Sequence, residues 1–273
     1  MSESGESFSR LRVVRVVRDG PLCRITLARP EVRNAFDEVL IQALTGAFLS
    51  FTDDAETRVV VLEGEGPTFC AGADVEWMRR AGSFSKLENE SDAERMAGML
   101  RAIDRCPRPV IAVIQGAAIG GGVGLAAAAD IAIAAEDAVF SLAEVKLGIL
   151  PSVISPYVLR AIGARQARRY FLTGERFGAV EAHRIGLVHE VVPPAELGAA
   201  RDRFVAALLS SAPEAVGVAK SLIAEVSGKP PDEALPFTVR TIAERRATAE
   251  AKEGLTAFLE KRPPSWAPKK PAL

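Results

Sequence analysis

The residues best suited to chemistry fall between positions 115 and 151. Five glycines stand within nine positions: Gly116, Gly120, Gly121, Gly122 and Gly124. An apolar, β-prone run at 110–114 precedes them, and a small-residue helix start at 125–129 follows. Glycine has no Cβ, so its backbone N–H can come close to a ligand. A helix N-terminus adds unpaired N–H donors and the positive end of a dipole. Together they suit a phosphate or an oxyanion. Glu144 stands twenty residues beyond Gly124 in an otherwise apolar segment. A carboxylate in apolar surroundings has a raised pKa and can serve as acid or base. The pattern is a donor-lined anion hole facing one carboxylate.

Two other readings fit the same stretch. In one, the glycines only let a helix sit close to a sheet, and Glu144 pairs with a cation. In the other, Gly122-Val123-Gly124-Leu125-Ala126-Ala127 is a dinucleotide fingerprint with Glu144 as the ribose ligand. Against that, only residues 125–130 separate the glycines from the next apolar strand at 131–134. That is too short for the crossover helix of a βαβ unit.

Composition narrows the classes. With 273 residues, 48% of them hydrophobic, the chain can bury a large core in one or two domains. Lys and Arg number 34 against 35 Asp and Glu, so no strong field draws nucleic acid or an anionic membrane. No apolar run approaches a membrane span, and residues 1–9 lack the apolar core of a signal peptide. Cys23, Cys70 and Cys106 are widely spaced and odd in number, and form neither a metal cluster nor a disulfide framework. His183 and His189 lie far from the glycines, which argues against a histidine triad or a zinc site. A cytoplasmic protein without metal is expected.

The elements around the glycines follow from pattern. Residues 11–28 hold two β-prone runs split by Asp19-Gly20-Pro21, a hairpin. Apolar residues at helical spacing predict a helix over 37–52, and 58–63 is a strand. In the loop 64–74, Ala71-Gly72-Ala73 precedes a helix that begins near Asp74, its N-cap, and makes a second backbone donor site. A charged helix at 88–105 has an apolar stripe at Met96, Met99, Leu100 and Ile103. Strand, small-residue loop and helix thus alternate twice, an α/β pattern. Short helices follow at 153–162, 164–172 and 179–185, with a last β-run at 187–192. Residues 195–260 read as helix broken at Ala212-Pro213 and at 228–231, and need a partner surface for their stripes. The expected divisions are a disordered lead-in at 1–10, a core at 11–194, a helical region at 195–262 and an extended tail at 263–273.

Phe69-Cys70-Ala71-Gly72-Ala73-Asp74, Gly120-Gly121-Gly122, Asp130-Ile131-Ala132-Ile133-Ala134 and the run at 140–151 resemble the crotonase superfamily, the enoyl-CoA hydratase/isomerase family. Residues 27–36, 172–174, 186–188 and 257–262 fit as well, so the likeness covers roughly 13–262. The resemblance implies a spiral of ββα units with two roughly perpendicular sheets and a C-terminal helical trimerisation region, as a homotrimer or a dimer of trimers. It implies an acyl-CoA thioester as substrate, and no cofactor beyond the coenzyme A that the substrate carries. The N–H groups of Ala71 and Gly121 would form the oxyanion hole, with Gly120 beside them. Arg29, Arg33 and Ala35, and the backbone of Ala71, Gly72, Ala73, Asp74 and Val75, would hold the coenzyme A. Phe258 and Lys261 would reach the coenzyme A of a neighbouring subunit.

One position departs from the family. Its hydratases use two glutamates; Glu144 matches the second, and the first falls on Gly124. A single glutamate is typical of the Δ3,Δ2-enoyl-CoA isomerases, yet one carboxylate can also shuttle a proton between Cα and a β-hydroxyl on the same face. The runs at 144–163 and 167–177 resemble bacterial 3-methylglutaconyl-CoA hydratases, which interconvert that thioester and 3-hydroxy-3-methylglutaryl-CoA. The expectation is a hydro-lyase with Glu144 as sole acid/base. Lys146, Arg79, Arg80, Lys86 and Arg95 are candidate counter-charges for the distal carboxylate, and Glu90 or Glu94 a candidate second acid. Some relatives bind RNA; near-zero net charge, with one Lys-Lys pair at Lys269-Lys270, argues against that here.

Overall fold

The computed structural model describes residues 13–267. The lead-in expected at 1–10 and the last six positions of the tail lie outside the described residues. In chain order the strands are β1 (Val14–Asp19), β2 (Leu22–Leu27), β3 (Val59–Gly64), β4 (Val110–Ile114), β5 (Ala117–Ile119), β6 (Ile131–Ala135), β7 (Val139–Ser141), β8 (Arg176–Gly178) and β9 (Glu190–Val192). The helices of the core are α1 (Glu38–Leu49), α2 (Val75–Ala81), α3 (Lys86–Asp104), α4 (Gly121–Ala128), α5 (Ser155–Thr173) and α6 (Ala179–Arg184). Four more close the chain: α7 (Leu197–Ser210), α8 (Pro213–Val226), α9 (Pro231–Ala247) and α10 (Ala249–Leu259).

Two sheets form, one of six strands in the order β1-β2-β3-β4-β6-β9 and one of three in the order β5-β7-β8. The β1–β2 hairpin is antiparallel, and from β2 onward the large sheet is parallel. A parallel sheet is covered on both faces and so needs nearly continuous apolar strands. All of Val110-Ile111-Ala112-Val113-Ile114 is accordingly buried. Val60 and Leu62 pack with Leu44 and Phe48 of α1 and Leu100 of α3. The alternate residues Val59 and Val61 join Ala200 and Val205 of α7 on the other face.

Two differences from the sequence expectations concern the site. The chain does not run from β4 into the glycines: β5 intervenes and belongs to the small sheet. Its strands are three residues each, too short to show a period of two. Helix α4 starts at Gly121 rather than at 125, so three glycines lie inside it, buried against the core. The two short helices expected at 153–162 and 164–172 are both present within α5, separated by a kink at Gly163, whose φ of 69° no other residue adopts cheaply.

The C-terminal helices are tied to the core by charge. Lys220 of α8 lies 2.7 Å from Asp130 and 3.3 Å from the Arg108 carbonyl. Asp130 also accepts from the Val110 N–H at 2.7 Å. Arg58 donates to the carbonyls of Leu209, Ser211 and Trp266 at 2.7, 2.8 and 2.9 Å. Lys220→Met leaves the Asp130 carboxylate half-buried with one donor. Urea unfolding should then show a stability loss of about 2 kcal/mol with an unchanged m-value.

Candidate active site

The small sheet sets the geometry. β5 and β7 are parallel, with Ile119 opposite Ser141. The Gly120 N–H continues the ladder to the Ser141 carbonyl at 2.8 Å. Three residues past Ser141, a 3-10 turn over Ala143–Leu147 carries Glu144. Gly148 closes that turn at φ 75°, and the Ile149 N–H returns to the Glu144 carbonyl at 3.2 Å. The carboxyl group lies over Gly120: a Cβ there would stand 2.8 Å from Oε1 and 3.3 Å from Cδ. Gly120 also has φ 51° and ψ −113°, a backbone region that glycine alone enters readily.

Glu144 Oε2 is buried and has no hydrogen-bond partner among the described residues. Burial raises its carboxyl above the ordinary carboxylate range, opposed only by its own backbone N–H. The packing reading, in which a cation neutralises Glu144, is thereby excluded. Next to it, the Gly121 N–H is the first of α4 and meets no acceptor among the described residues. Phe36 and Met96 close over this glycine; a Cβ there would lie 3.0 Å from Phe36 Cδ2 and 3.0 Å from Met96 Cε.

The second donor loop corrects the choice of alanine. The Ala71 N–H is committed to the Arg33 carbonyl at 3.0 Å, so it has no proton for a ligand. Ala73 pairs with Phe36 in an isolated parallel bridge. There Phe36 N–H donates to Gly72 O, and Asp74 N–H to Phe36 O, each at 2.7 Å. In such a bridge the N–H of the middle residue faces away from the partner. The Ala73 N–H accordingly meets no acceptor among the described residues. Gly72, at φ 89°, brings this segment to the glycines: its Cβ would stand 2.8 Å from the Ile119 carbonyl. Either alanine fits the sequence pattern, and the pairing register decides between them.

The expected coenzyme A contacts separate into two groups. Arg29 is not available: its guanidinium donates to the Ala35 carbonyl at 2.7 Å and pairs with Asp37 at 3.0 Å and Asp74 at 3.2 Å. Asp74 is spent on the same ion pair and on capping α2 through the N–H groups of Glu76 and Trp77. Ala35 is buried. Arg33, in contrast, is exposed and has no carboxylate partner among the described residues, and Val75, the first residue of α2, is exposed as well. Phe258, 79% exposed, lies at the end of α10, and Lys261, also exposed, lies two residues beyond it.

Other candidates settle by position. Glu90 and Glu94 are exposed on α3, and Glu90 pairs with Lys86 at 3.6 Å. Arg79, Arg80 and Arg95 are held by Glu76, Glu38 and Asp92. Lys146 alone of the five cations has no carboxylate partner among the described residues. Burial pushes the Cys70 thiol up to about 12, which makes it no nucleophile. His189 Nδ1 accepts from the Ala132 N–H at 3.1 Å, a structural bond. Among the described residues no group of three or more His, Cys, Asp or Glu could hold a metal. The site residue that sequence reasoning missed is Ile154. A Cβ at Gly124 would lie 2.9 Å from Ile154 Cβ, closer still to its Cγ2, and 3.6 Å from Leu100 Cδ2.

A fold of two unequal sheets, with one buried carboxylate against an N-terminal helix turn, can be compared with known proteins. The family model described as enoyl-CoA hydratase/isomerase matches residues 18–269. The "Probable enoyl-CoA hydratase" of Rhodobacter capsulatus is 38% identical over 249 residues, covering 90% of this chain and 94% of that protein. The carnitinyl-CoA dehydratase of Salmonella enteritidis is 36% identical over 259 residues, covering 92% and 97%. The crystal structure of an enoyl-CoA hydratase from Shewanella pealeana superposes with a TM-score of 0.90 at 40% identity, covering 94% and 97%. The chain belongs to the enoyl-CoA hydratase/isomerase family and has its crotonase fold. Its activity is of the enoyl-CoA hydratase/isomerase type, on an acyl-CoA thioester.

Gly120→Ala forces a methyl group against Glu144 Oε1. The variant should fold with an unchanged far-UV circular dichroism spectrum and lose about a hundredfold in kcat/KM, the scale of a 1 Å misplacement.

Proposed function

We propose that the protein adds water reversibly to a branched enoyl-CoA, 3-methylglutaconyl-CoA, giving 3-hydroxy-3-methylglutaryl-CoA, with Glu144 as the sole acid/base. The observation that carries this reading is the Glu144 carboxyl, its Oε2 buried and unpartnered, beside a Gly121 N–H that likewise meets no partner among the described residues. The N–H groups of Gly121 and Ala73 hold the thioester oxygen. Negative charge grows there as Cα gains carbanion character, and donors already aimed at it cost no reorganisation. The Glu144 carboxylate takes a proton from water as its oxygen bonds to Cβ. The Cα–Cβ π-electrons move onto the thioester oxygen, and the protonated Glu144 then delivers its proton to Cα as the enolate collapses. The net change is one water added, both new bonds on the face of Glu144. Likeness of residues 144–163 and 167–177 to 3-methylglutaconyl-CoA hydratases supports the acyl group. Similarity to a carnitinyl-CoA dehydratase supports water chemistry on a CoA thioester. Lys146, on the same turn as Glu144, is the cation for the distal carboxylate, and Arg33 the candidate for a coenzyme A phosphate.

A second reading is Δ3,Δ2-enoyl-CoA isomerisation, in which Glu144 moves a proton between two carbons. The apolar Ile154 at the place of a second acid favours it. Incubation with 3-methylglutaconyl-CoA in ¹⁸O-water separates the two. Labelled hydroxy-methylglutaryl-CoA is the expected product, and turnover on 3-enoyl-CoA alone without label would overturn hydration in favour of isomerisation.

Glu144→Gln should cost about 10²–10⁴ in kcat while leaving acyl-CoA binding intact. In the wild type the base must be ionised, so kcat/KM should fall as pH drops through the Glu144 pKa. Since burial raises that pKa, the acid limb should lie above the ordinary carboxylate range. Exposed Leu235, Val239 and Ile242 on α9 and Leu255, Phe258 and Leu259 on α10 support the homotrimer. Light scattering should return three chain masses, or six for a dimer of trimers.

A further inference from the structure

Gly120 caps α4 and Gly124 lies one turn on; the Gly124 N–H closes that turn on the Gly120 carbonyl at 3.2 Å. Residues four apart share a helix face, about 6 Å from one another along the axis. Glu144 covers the first of the two glycines and Ile154 the second. Ile154 is itself fixed. It is 2% exposed, and its carbonyl accepts from Tyr157 and Val158, each at 3.1 Å, at the start of α5. Leu100 of α3 borders the same spot. The absence of a side chain at 124 is therefore no vacancy, because a residue thirty positions away fills it.

We propose that Ile154 is the specificity-determining residue of the site: it bars a second carboxylate and forms the apolar wall against which the β-substituent of a branched acyl group packs. The inference rests on the functional reading above. An acyl chain whose thioester oxygen sits at Gly121 extends along the same helix face, which brings its Cβ region to Ile154. No charged neighbour contributes to the Glu144 shift; burial and its own backbone N–H are the acting causes. A glutamate introduced at 124 would therefore be the first group to couple with it.

Three variants test this: Ile154→Ala, Gly124→Glu/Ile154→Gly and Glu144→Gln. Hydration of 3-methylglutaconyl-CoA and of unbranched crotonyl-CoA is measured against pH. Exchange of the α-protons of butyryl-CoA into D₂O is followed in parallel, since it requires Glu144 and the donors but no branch. Ile154→Ala should lower the branched-to-unbranched ratio of kcat/KM about tenfold, the range for one to a few methylenes in a pocket. The double variant should gain crotonyl-CoA hydration and a second ionisation in its pH profile. An unchanged ratio in Ile154→Ala overturns the proposal, and that arm stands whether or not the double variant folds. A folded double variant with a single ionisation and the parental ratio also overturns it. Retained α-exchange in Glu144→Gln would instead remove the functional reading on which the inference rests.

Discussion

The whole site depends on a carboxylate held against a glycine without a partner. Moving an ionised carboxylate out of water costs several kcal/mol unless a cation or donors compensate. Nothing among the described residues does so for Glu144 Oε2. The group stays there because the backbone on both sides is fixed. The β5–β7 pairing brings Ser141 opposite Ile119, and Gly148 ends the intervening turn in a left-handed conformation. Three-residue strands contribute little burial. Their value is metric: a shift of one residue in that register would turn Glu144 away from Gly120.

The donor loop is held by a different device. Arg29 lies between Asp37 and Asp74, and these are the N-caps of α1 and α2. One guanidinium thus fixes the starts of two helices and, between them, the segment that carries Ala73. Asn34, fully buried at φ 56°, completes the bracket. Its Oδ1 accepts from the Arg29 N–H at 2.9 Å, and its Nδ2 donates to the carbonyls of Glu65 and Thr68 at 3.0 and 2.7 Å. A buried amide whose bonds are all made rigidifies a loop, whereas one left partly unmade would loosen it. The residues expected to grip the ligand at Arg29 and Asp74 instead grip one another.

Legibility in the sequence followed the range of the interaction. Asp74 caps its helix as short-range chemistry requires, and Glu144 stands out as a charge in an apolar run. The α/β alternation and the hairpin were equally local. What could not be read was pairing. β5, β7 and β8 are shorter than any detectable period, so the start of α4 was misplaced by four residues. Ala71 and Ala73 are equivalent by spacing, and only the bridge to Phe36 distinguishes them. Gly124 could be seen as a departure, but nothing near it in the chain names the side chain that occupies its place.

That occupant changes what the departure means. In a two-carboxylate site, like charges raise one of the two pKa values, and the pair titrates in coupled steps. Here the same upward shift arises from burial alone, on one group. The two routes differ in their response to salt and solvent. A charge–charge shift is screened by ions, while a desolvation shift persists as long as the apolar wall excludes water. Ile154 occupies the point where a glutamate would have supplied a charge. A close-packed interior does not tolerate an empty side-chain volume, so removing the charge and filling the space are a single structural change. The upward shift of the Glu144 carboxyl is thus set by packing rather than by a charged partner among the described residues.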